Sequence, residues 1–422
     1  MASERWLPRL DQNAKNQPPL RKELFLLNYR SQMPTPRKSD DDIIDLTKQL
    51  IRIPSTATNP TALRAAVELL RSQVAVCPEV TIEPFDQGGK PSFLAYRGGV
   101  RPDKFDIILN AHVDVVPGPA KMFNPVVKDD LLFGRGALDM KGTAATLTTV
   151  FCELNSSLPY SLGLQIVSDE EVGGHNGAKA QIDAGVRSDF VLIGEYSNDR
   201  GTIYNAARGL CWIELRFKGK AAHGGHLWHG SNAVMKAGNF ARELLRAYPT
   251  PDKETWTTTA SVASIQTSNK VYNKVPDSAV LKIDFRFTKE DPVFLSRDTL
   301  SAFLVGIDPD VEIASIATFE PAVNVARLNP YVQGLSRAMT NVLGTKPSYL
   351  GRPAGSDGRH FAQGGTGVIE YGLYGAHSHS DQEFVELSSF AEYRRVIEAF
   401  LRAPTPARRD IPQATSGAAQ AS

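Results

Sequence analysis

Three acids in a row, Asp169-Glu170-Glu171, follow the apolar run Leu162 to Val167 and a serine, and two glycines come after them. Burying such a cluster is costly unless it is paired or holds a metal. Taken alone it reads better as a solvated acidic turn, but the arrangement recurs along the chain. Ala111-His112-Val113-Asp114 closes an apolar run that starts at Phe105. On a strand, residues i and i+2 point to the same side, so His112 and Asp114 can face one site. An imidazole that binds a metal usually gives its other N–H to a carboxylate, and Asp114 is placed to take it. Glu195 follows the run Phe190 to Ile193, and His377, His379 and Glu383 follow Gly375 near the other end. In Gly134-Arg-Gly136-Ala-Leu-Asp139-Met-Lys141-Gly142, an acid stands where a phosphate loop would need its third glycine, so that loop is excluded. Asp139 instead puts two carboxylate oxygens at the start of a helical pattern, where one residue can bridge two cations. Two histidines and three carboxylates suit two borderline-hard divalent ions, Zn²⁺ first, with Co²⁺ or Mn²⁺ as alternatives.

These residues need elements that gather them. Helical spacing runs from a cap at Ser39-Asp40 to Ile51, from Thr61 to Val76, from Met140 to Leu154 and from Leu387 to Leu401. Short apolar strands lie between: 105–116, 162–167, 190–193 and 367–373. Apolar strands separated by helices indicate an α/β domain with a mainly parallel sheet. Parallel strands bring their carboxyl ends to one crevice, which is where the acids and histidines fall. Residues 207–322 differ. Leu210 to Phe217 and Ala279 to Phe287 alternate, as strands with one wet face do. Helical patterns at Asn232–Tyr248 and Asp291–Val305 accompany them. This stretch is expected to be a smaller α+β domain inserted into the first. The expected organisation is an N-terminal extension (1–40, with one short helix near Leu24 to Leu27), a catalytic domain in two parts (41–206 and 323–402), the insert (207–322) and a disordered tail (403–422).

The bulk composition narrows the partners. The 422 residues carry 47 basic and 46 acidic side chains, a net charge of +1. That balance offers no pull towards nucleic acid or an anionic membrane. No run of about 18 apolar residues and no secretory-type apolar core occurs. Cys77, Cys152 and Cys211 are far apart and odd in number. They are expected to be buried reduced thiols in a cytoplasmic protein rather than a disulfide framework or a zinc site.

In order and separation, these motifs resemble the aminoacylase/carboxypeptidase metallopeptidase family, which includes acetylornithine deacetylase, succinyl-diaminopimelate desuccinylase and the glutamate carboxypeptidases. The resemblance covers about residues 41–402. It implies two metal ions: His112 and Glu195 on one, Glu171 and His379 on the other, and Asp139 bridging. His379 is favoured over His377 because relatives place the ligand four residues before the acid matching Glu383. Asp114 supports His112, and Glu170 is the general base for a water held between the two ions. The insert resembles the family's lid and dimerisation domain. Gly219-Lys-Ala-Ala-His223 matches its histidine motif, which implies a homodimer in which His223 reaches the partner's site and polarises the scissile carbonyl. Arg286, Asn273 and Arg208 are candidates to hold a substrate carboxylate, and Ser356-Asp357-Gly358-Arg359 matches a loop near the site. The reaction implied is hydrolysis of an amide bond in an N-acyl amino acid or a small peptide, without nucleic acid or membrane. Glu195, rather than Asp, is closer to the deacylases and carboxypeptidases than to the aminopeptidases. Gly355 and Ala207-Arg208-Gly209 depart from the desuccinylase pattern.

Other classes compete. A non-catalytic homologue would be expected to lack a ligand or the base, and none is missing. A serine hydrolase would need a GxSxG elbow, which is absent. His223, His226 and His229 stand at a spacing that a separate metal cluster would also use.

Overall fold

The computed structural model describes residues 38–403, apart from 78, 198, 254, 353–354 and 363. The expected helix near Leu24 to Leu27 and the tail from 404 lie outside the described residues.

The chain opens with helices α1 (Lys38–Ile51) and α2 (Pro60–Ala75). Helix α2 starts where Asn59 accepts the Ala62 N–H at 3.2 Å and Pro60 needs no donor. Strands β1 (Val80–Gln87) and β2 (Lys90–Arg97) form a hairpin. Its two-residue turn, Gly88-Gly89, has φ of +59° and +74°, which glycine adopts without a Cβ clash. Then come β3 (Phe105–His112), β4 (Val126–Lys128), β5 (Leu131–Phe133), α3 (Gly142–Leu154), β6 (Leu162–Val167), the short α4 (Ala178–Asp183), β7 (Ser188–Ile193) and β8 (Thr202–Ala207). The inserted stretch follows as β9 (Gly209–Lys218), α5 (Ala233–Ala247), β10 (Thr259–Gln266), β11 (Ser278–Phe287), α6 (Arg297–Ile307) and β12 (Glu312–Glu320). The chain returns through β13 (Val323–Asn324), α7 (Pro330–Leu343), β14 (Ser348–Arg352), α8 (Gly358–Ala362), β15 (Gly367–Glu370), β16 (Gly375–Ala376), β17 (Phe384–Glu386) and α9 (Leu387–Arg402).

The main sheet has the order β1-β2-β6-β3-β7-β15-β8-β13, with β14 beside β8. Its centre, from β6 through β3 and β7 to β15, is parallel, and its flanks contain antiparallel pairs. The central strands are mainly apolar and almost wholly buried, as parallel strands covered by helices are. One antiparallel flank comes from the β1–β2 hairpin, whose sequence has little apolar alternation. Strands β3, β6 and β7 end at His112, Val167 and Ile193, so the residues that follow emerge along one edge.

A second sheet, β10-β11-β9-β12, is antiparallel and has its own core. Strand β9 alternates: Cys211, Ile213, Leu215 and Phe217 point inward against α5 and α6, while Trp212, Glu214 and Arg216 face out. The helix expected over Asp291–Val305 is divided. A 3₁₀ turn at Pro292–Phe294 precedes α6, because Ser296 and Thr299 form a capping box that starts the helix afresh.

A third, small sheet, β16-β17-β5-β4, corrects the expected origin of the C-terminal histidine motif. His377 and His379 do not leave the main-sheet strand, which stops at Glu370. They follow β16, and Asp139 follows β5 on the same small sheet.

The cysteine expectation is overturned. Cys77, just past α2, and Cys152 in α3 form a disulfide across 75 residues. Both are half-buried, and only Cys211 is a buried free thiol among the described residues. Their separation in sequence hid a pairing that the packing of α2 on α3 creates. It also removes the thiol argument for a cytoplasmic location. Among the described residues no helix is long and apolar enough to cross a membrane.

Candidate metal centre and active-site cleft

His112 ends β3 and is buried. Its Nδ1 lies 3.0 Å from the Asp114 backbone carbonyl and 3.5 Å from the Asp114 carboxylate. That leaves Nε2 facing the site, 3.2 Å from Asp139 Oδ1 and 3.4 Å from Glu195 Oε1. Across Asp139, Oδ2 lies 3.2 Å from His379 Nε2, which is also 3.2 Å from Glu171 Oε2. The two oxygens of Asp139 thus face two different histidines, each with a second carboxylate of its own. His112 Nε2 and Glu171 Oε1 are buried without a hydrogen-bond partner. Buried polar atoms rarely stay unpartnered unless something else occupies them. The donor set, two imidazoles and several carboxylates in two groups, fits two divalent ions.

Several local features hold these side chains in place. Asp139 has extended backbone (φ −117°, ψ 92°), so α3 begins only at Gly142 rather than at Met140. Glu383 pins this bend: it accepts N–H bonds from Leu138 (3.1 Å) and Asp139 (3.2 Å) and pairs with the buried Arg135 at 2.5 Å. Lys141 is fully buried and donates to the carbonyls of Leu50 (3.0 Å) and Ile53 (2.7 Å), and burial pushes its amine down to about 7. Asp114 does more than attend His112. Its two oxygens accept the backbone N–H groups of Glu170 (3.3 Å) and Glu171 (3.0 Å), which orients the acidic turn. The nearest of the two C-terminal histidines is His379; His377 packs on Phe384.

The electrostatics follow from this crowding. Burial would lower His112, but the carboxylates of Asp114, Asp139 and Glu195 hold it well above the usual histidine value. Asp139 and Glu171 hold His379 up at about 10. Desolvation pushes Glu170 well above the normal carboxylate range, with Glu195 and Asp357 adding to it against His112 and Arg359. Below the turn, burial raises Asp357 to about 7, with the Asp169 carboxylate in support.

Replacing Glu383 with alanine should be costly for a specific reason. It would leave the Arg135 guanidinium buried and unpaired, which typically costs about 3–5 kcal/mol. Glu383→Gln, which keeps an acceptor for the two N–H groups, should cost less. Urea denaturation of the two variants checks this, and an unchanged midpoint for Glu383→Ala contradicts it.

A cleft of about 630 Å³ opens beside the cluster and reaches the second sheet. Asp139, Glu170, Glu171, Glu195 and His379 line one side, and Leu210, Trp212, Arg286 and Glu320 the other. Arg286 therefore faces the cleft, where Asp284 holds its guanidinium at 3.0 and 3.2 Å. Asn273 and His223 lie together in the inserted stretch, with the Gly224 N–H on the Asn273 carbonyl at 2.7 Å, and neither lines this cleft. Arg208 donates to the Thr255 carbonyl and lies 5.4 Å from the Trp256 ring, away from the cleft. Ser356 is buried, donates to Glu370 at 2.5 Å and accepts the Gly358 N–H at 3.2 Å, so it shapes the loop from below. The rings of His223, His226 and His229 lie 5.6 and 6.2 Å apart in sequence order, and they form none of the convergent ligand groups found among the described residues.

The geometry also supplies residues that the motifs did not single out. Arg352 and Tyr196 line the cleft, and Arg352 pairs with the buried Glu370. Arg359, from the loop named above, lines it too. Arg352 had no signal of its own, since it stands alone in sequence and becomes a site residue only because β14 lies beside β8.

Comparison with known proteins places this geometry. The model of peptidase family M20/M25/M40 matches residues 108–403. Among solved structures, the aminopeptidase PepT from Bacillus cereus superposes with a TM-score of 0.69 at 16% identity, covering 86% of this chain and 98% of that one. The M20 family metallo-carboxypeptidase Sso-CP2 from Sulfolobus solfataricus gives 0.65 at 17% identity, covering 85% and 98%. The YXEP protein from Bacillus subtilis, described as a dinuclear metal binding peptidase, gives 0.62 at 14% identity, covering 86% and 97%. These identities establish a shared fold, and the family match spans well over half of the chain and includes every residue of the two candidate ligand groups. The chain belongs to peptidase family M20/M25/M40.

Proposed function

We propose that this cleft hydrolyses an amide bond, in an N-acyl amino acid or a small peptide, with two divalent ions that Asp139 and the residues around it would hold. The observation that carries this reading is the disposition of Asp139, whose two oxygens each lie 3.2 Å from a different histidine. His112 and Glu195 would hold one ion, His379 and Glu171 the other, with Zn²⁺ first and Co²⁺ or Mn²⁺ as alternatives. When bound, such a pair polarises the scissile carbonyl and acidifies water. Glu170 takes the proton of the attacking water and returns it to the leaving amine. Its raised affinity for protons suits it to both halves of that exchange. Asp114 keeps Glu170 aimed by holding its backbone N–H.

Arg286 and Arg359 are the proposed holders of a substrate carboxylate, since both face the cleft and a guanidinium fork fits a carboxylate. Asn273 and His223 are proposed to act in the cleft of a second copy in a homodimer. Exposed Leu227, Trp228 and Tyr272 near them support a covered surface. Residues 207–322 then serve as lid and dimerisation domain.

The test is metal content measured together with hydrolysis of N-acyl amino acids and dipeptides. Two ions per chain, with turnover that chelator abolishes and metal restores, is the expected result. A chain that binds two ions and cuts nothing on a broad panel overturns the catalytic reading in favour of a non-catalytic binding protein.

A further inference from the structure

We infer that the cleft contains an apolar subsite, formed by Val172, Leu210 and Trp212, that selects amides carrying a bulky apolar group. This rests on reading the cleft as the hydrolytic site and goes on to name its substrate class.

The outward face of the second sheet changes character along its length. At its far end it is an ordinary wet surface. Glu214 pairs with Lys282 across β9 and β11 at 2.8 Å, and Arg216 with Glu312 across β9 and β12 at 2.8 Å. Register on the same face carries on to Trp212, opposite Asp284 and Thr318, and to Leu210, opposite Arg286 and Glu320. At this end, where the face forms a wall of the cleft, the middle strand turns from charged to apolar. Trp212 remains 46% exposed there. A large aromatic residue on the wet side of a sheet gains little from that position unless something covers it.

The opposite wall answers it. Val172 comes directly after Glu170-Glu171, lines the same cleft and is 55% exposed. Two large apolar side chains thus stand uncovered in one cavity, and one of them is two residues from the proposed base. Most of the charges beside this space are paired: Arg286 with Asp284, Arg352 with Glu370, and His175 3.6 Å from Glu320, while Arg286 and Arg359 remain the polar groups that would orient a carboxylate. Binding sites commonly combine apolar walls with a few polar groups that fix orientation, and this cleft has both. The group that fits is an aromatic ring or a branched aliphatic chain, borne by either the acyl or the amino-acid side of the amide.

Sulfonamide isosteres, which are not hydrolysed, separate this subsite from catalysis. The metal-loaded full chain is titrated by calorimetry with N-methylsulfonylglycine, N-benzylsulfonylglycine and N-methylsulfonylphenylalanine. One of the two aromatic probes should bind about tenfold or more tightly than the small one, and which of them does so assigns the side of the amide. Trp212→Ala should erase that preference, and Trp212→Phe should keep most of it. Equal affinities for all three, no binding of any, or a preference that survives in Trp212→Ala overturns the inference. Turnover of the matching amides is read separately. Preference without turnover removes the hydrolase reading and keeps the subsite, and turnover without preference does the reverse.

Discussion

Glu170→Gln should lower kcat by about 10²–10⁴-fold while leaving metal content and KM close to normal. That range is what a positioned general acid–base contributes. The substitution preserves the shape of the side chain and the backbone bond to Asp114, so the acidic turn should stay in place. What it removes is the capacity to take up and return a proton. The pH profile gives a second readout. Desolvation and the Glu195 and Asp357 carboxylates raise Glu170 in the chain without metal. Bound cations pull it back down, because each stabilises the ionised form. In the loaded enzyme kcat/KM should therefore rise with pH through an acid limb that belongs to Glu170, and this limb should vanish in the variant. Full turnover by Glu170→Gln with both ions bound rules out this role.

Removing Asp139 should have the other large effect. Asp139→Ala takes away the one residue shared by both histidines, so both ions should bind far more weakly and activity should fall to background. The loss should also appear in stability. An ion present at a thousandfold its Kd stabilises the folded state by about 4 kcal/mol, and the variant should lose that gain. Thermal melts with and without added metal measure it. A variant that still carries two ions per chain contradicts the bridging role.

Protons compete for the same ligands, and the sign of the effect follows. His379 in the chain without metal is held up at about 10 by Asp139 and Glu171, against about 6.5 for an unfolded histidine. A raised histidine stabilises the fold fully below about pH 6.5, and that contribution is lost as pH rises towards 10. The midpoint of the metal-free chain should therefore fall across that window. Metal must displace the histidine protons, so loading near neutral pH should release protons and tighten as pH rises.

Sequence alone determined which residues could form the metal centre. His112, Asp139, Glu171, Glu195 and His379 each follow a recognisable apolar run or glycine-rich turn, and burying so many acids has few explanations other than a cation. It also determined the main strands and helices around them, because unbroken apolar runs and helical spacing are local properties. The tertiary structure decided the rest. It took His379 from a small side sheet rather than the main one, since the pairing of β17 with β16 and β5 is a contact between distant segments. It brought Cys77 to Cys152 by packing α2 against α3. It turned Arg208 and Ser356 away from the cleft and Arg352 and Arg359 into it. Above all it brought Trp212 and Val172 to one cleft, two residues with nothing in common in sequence, because which side chains share a cavity between two sheets depends on how their separately packed cores meet.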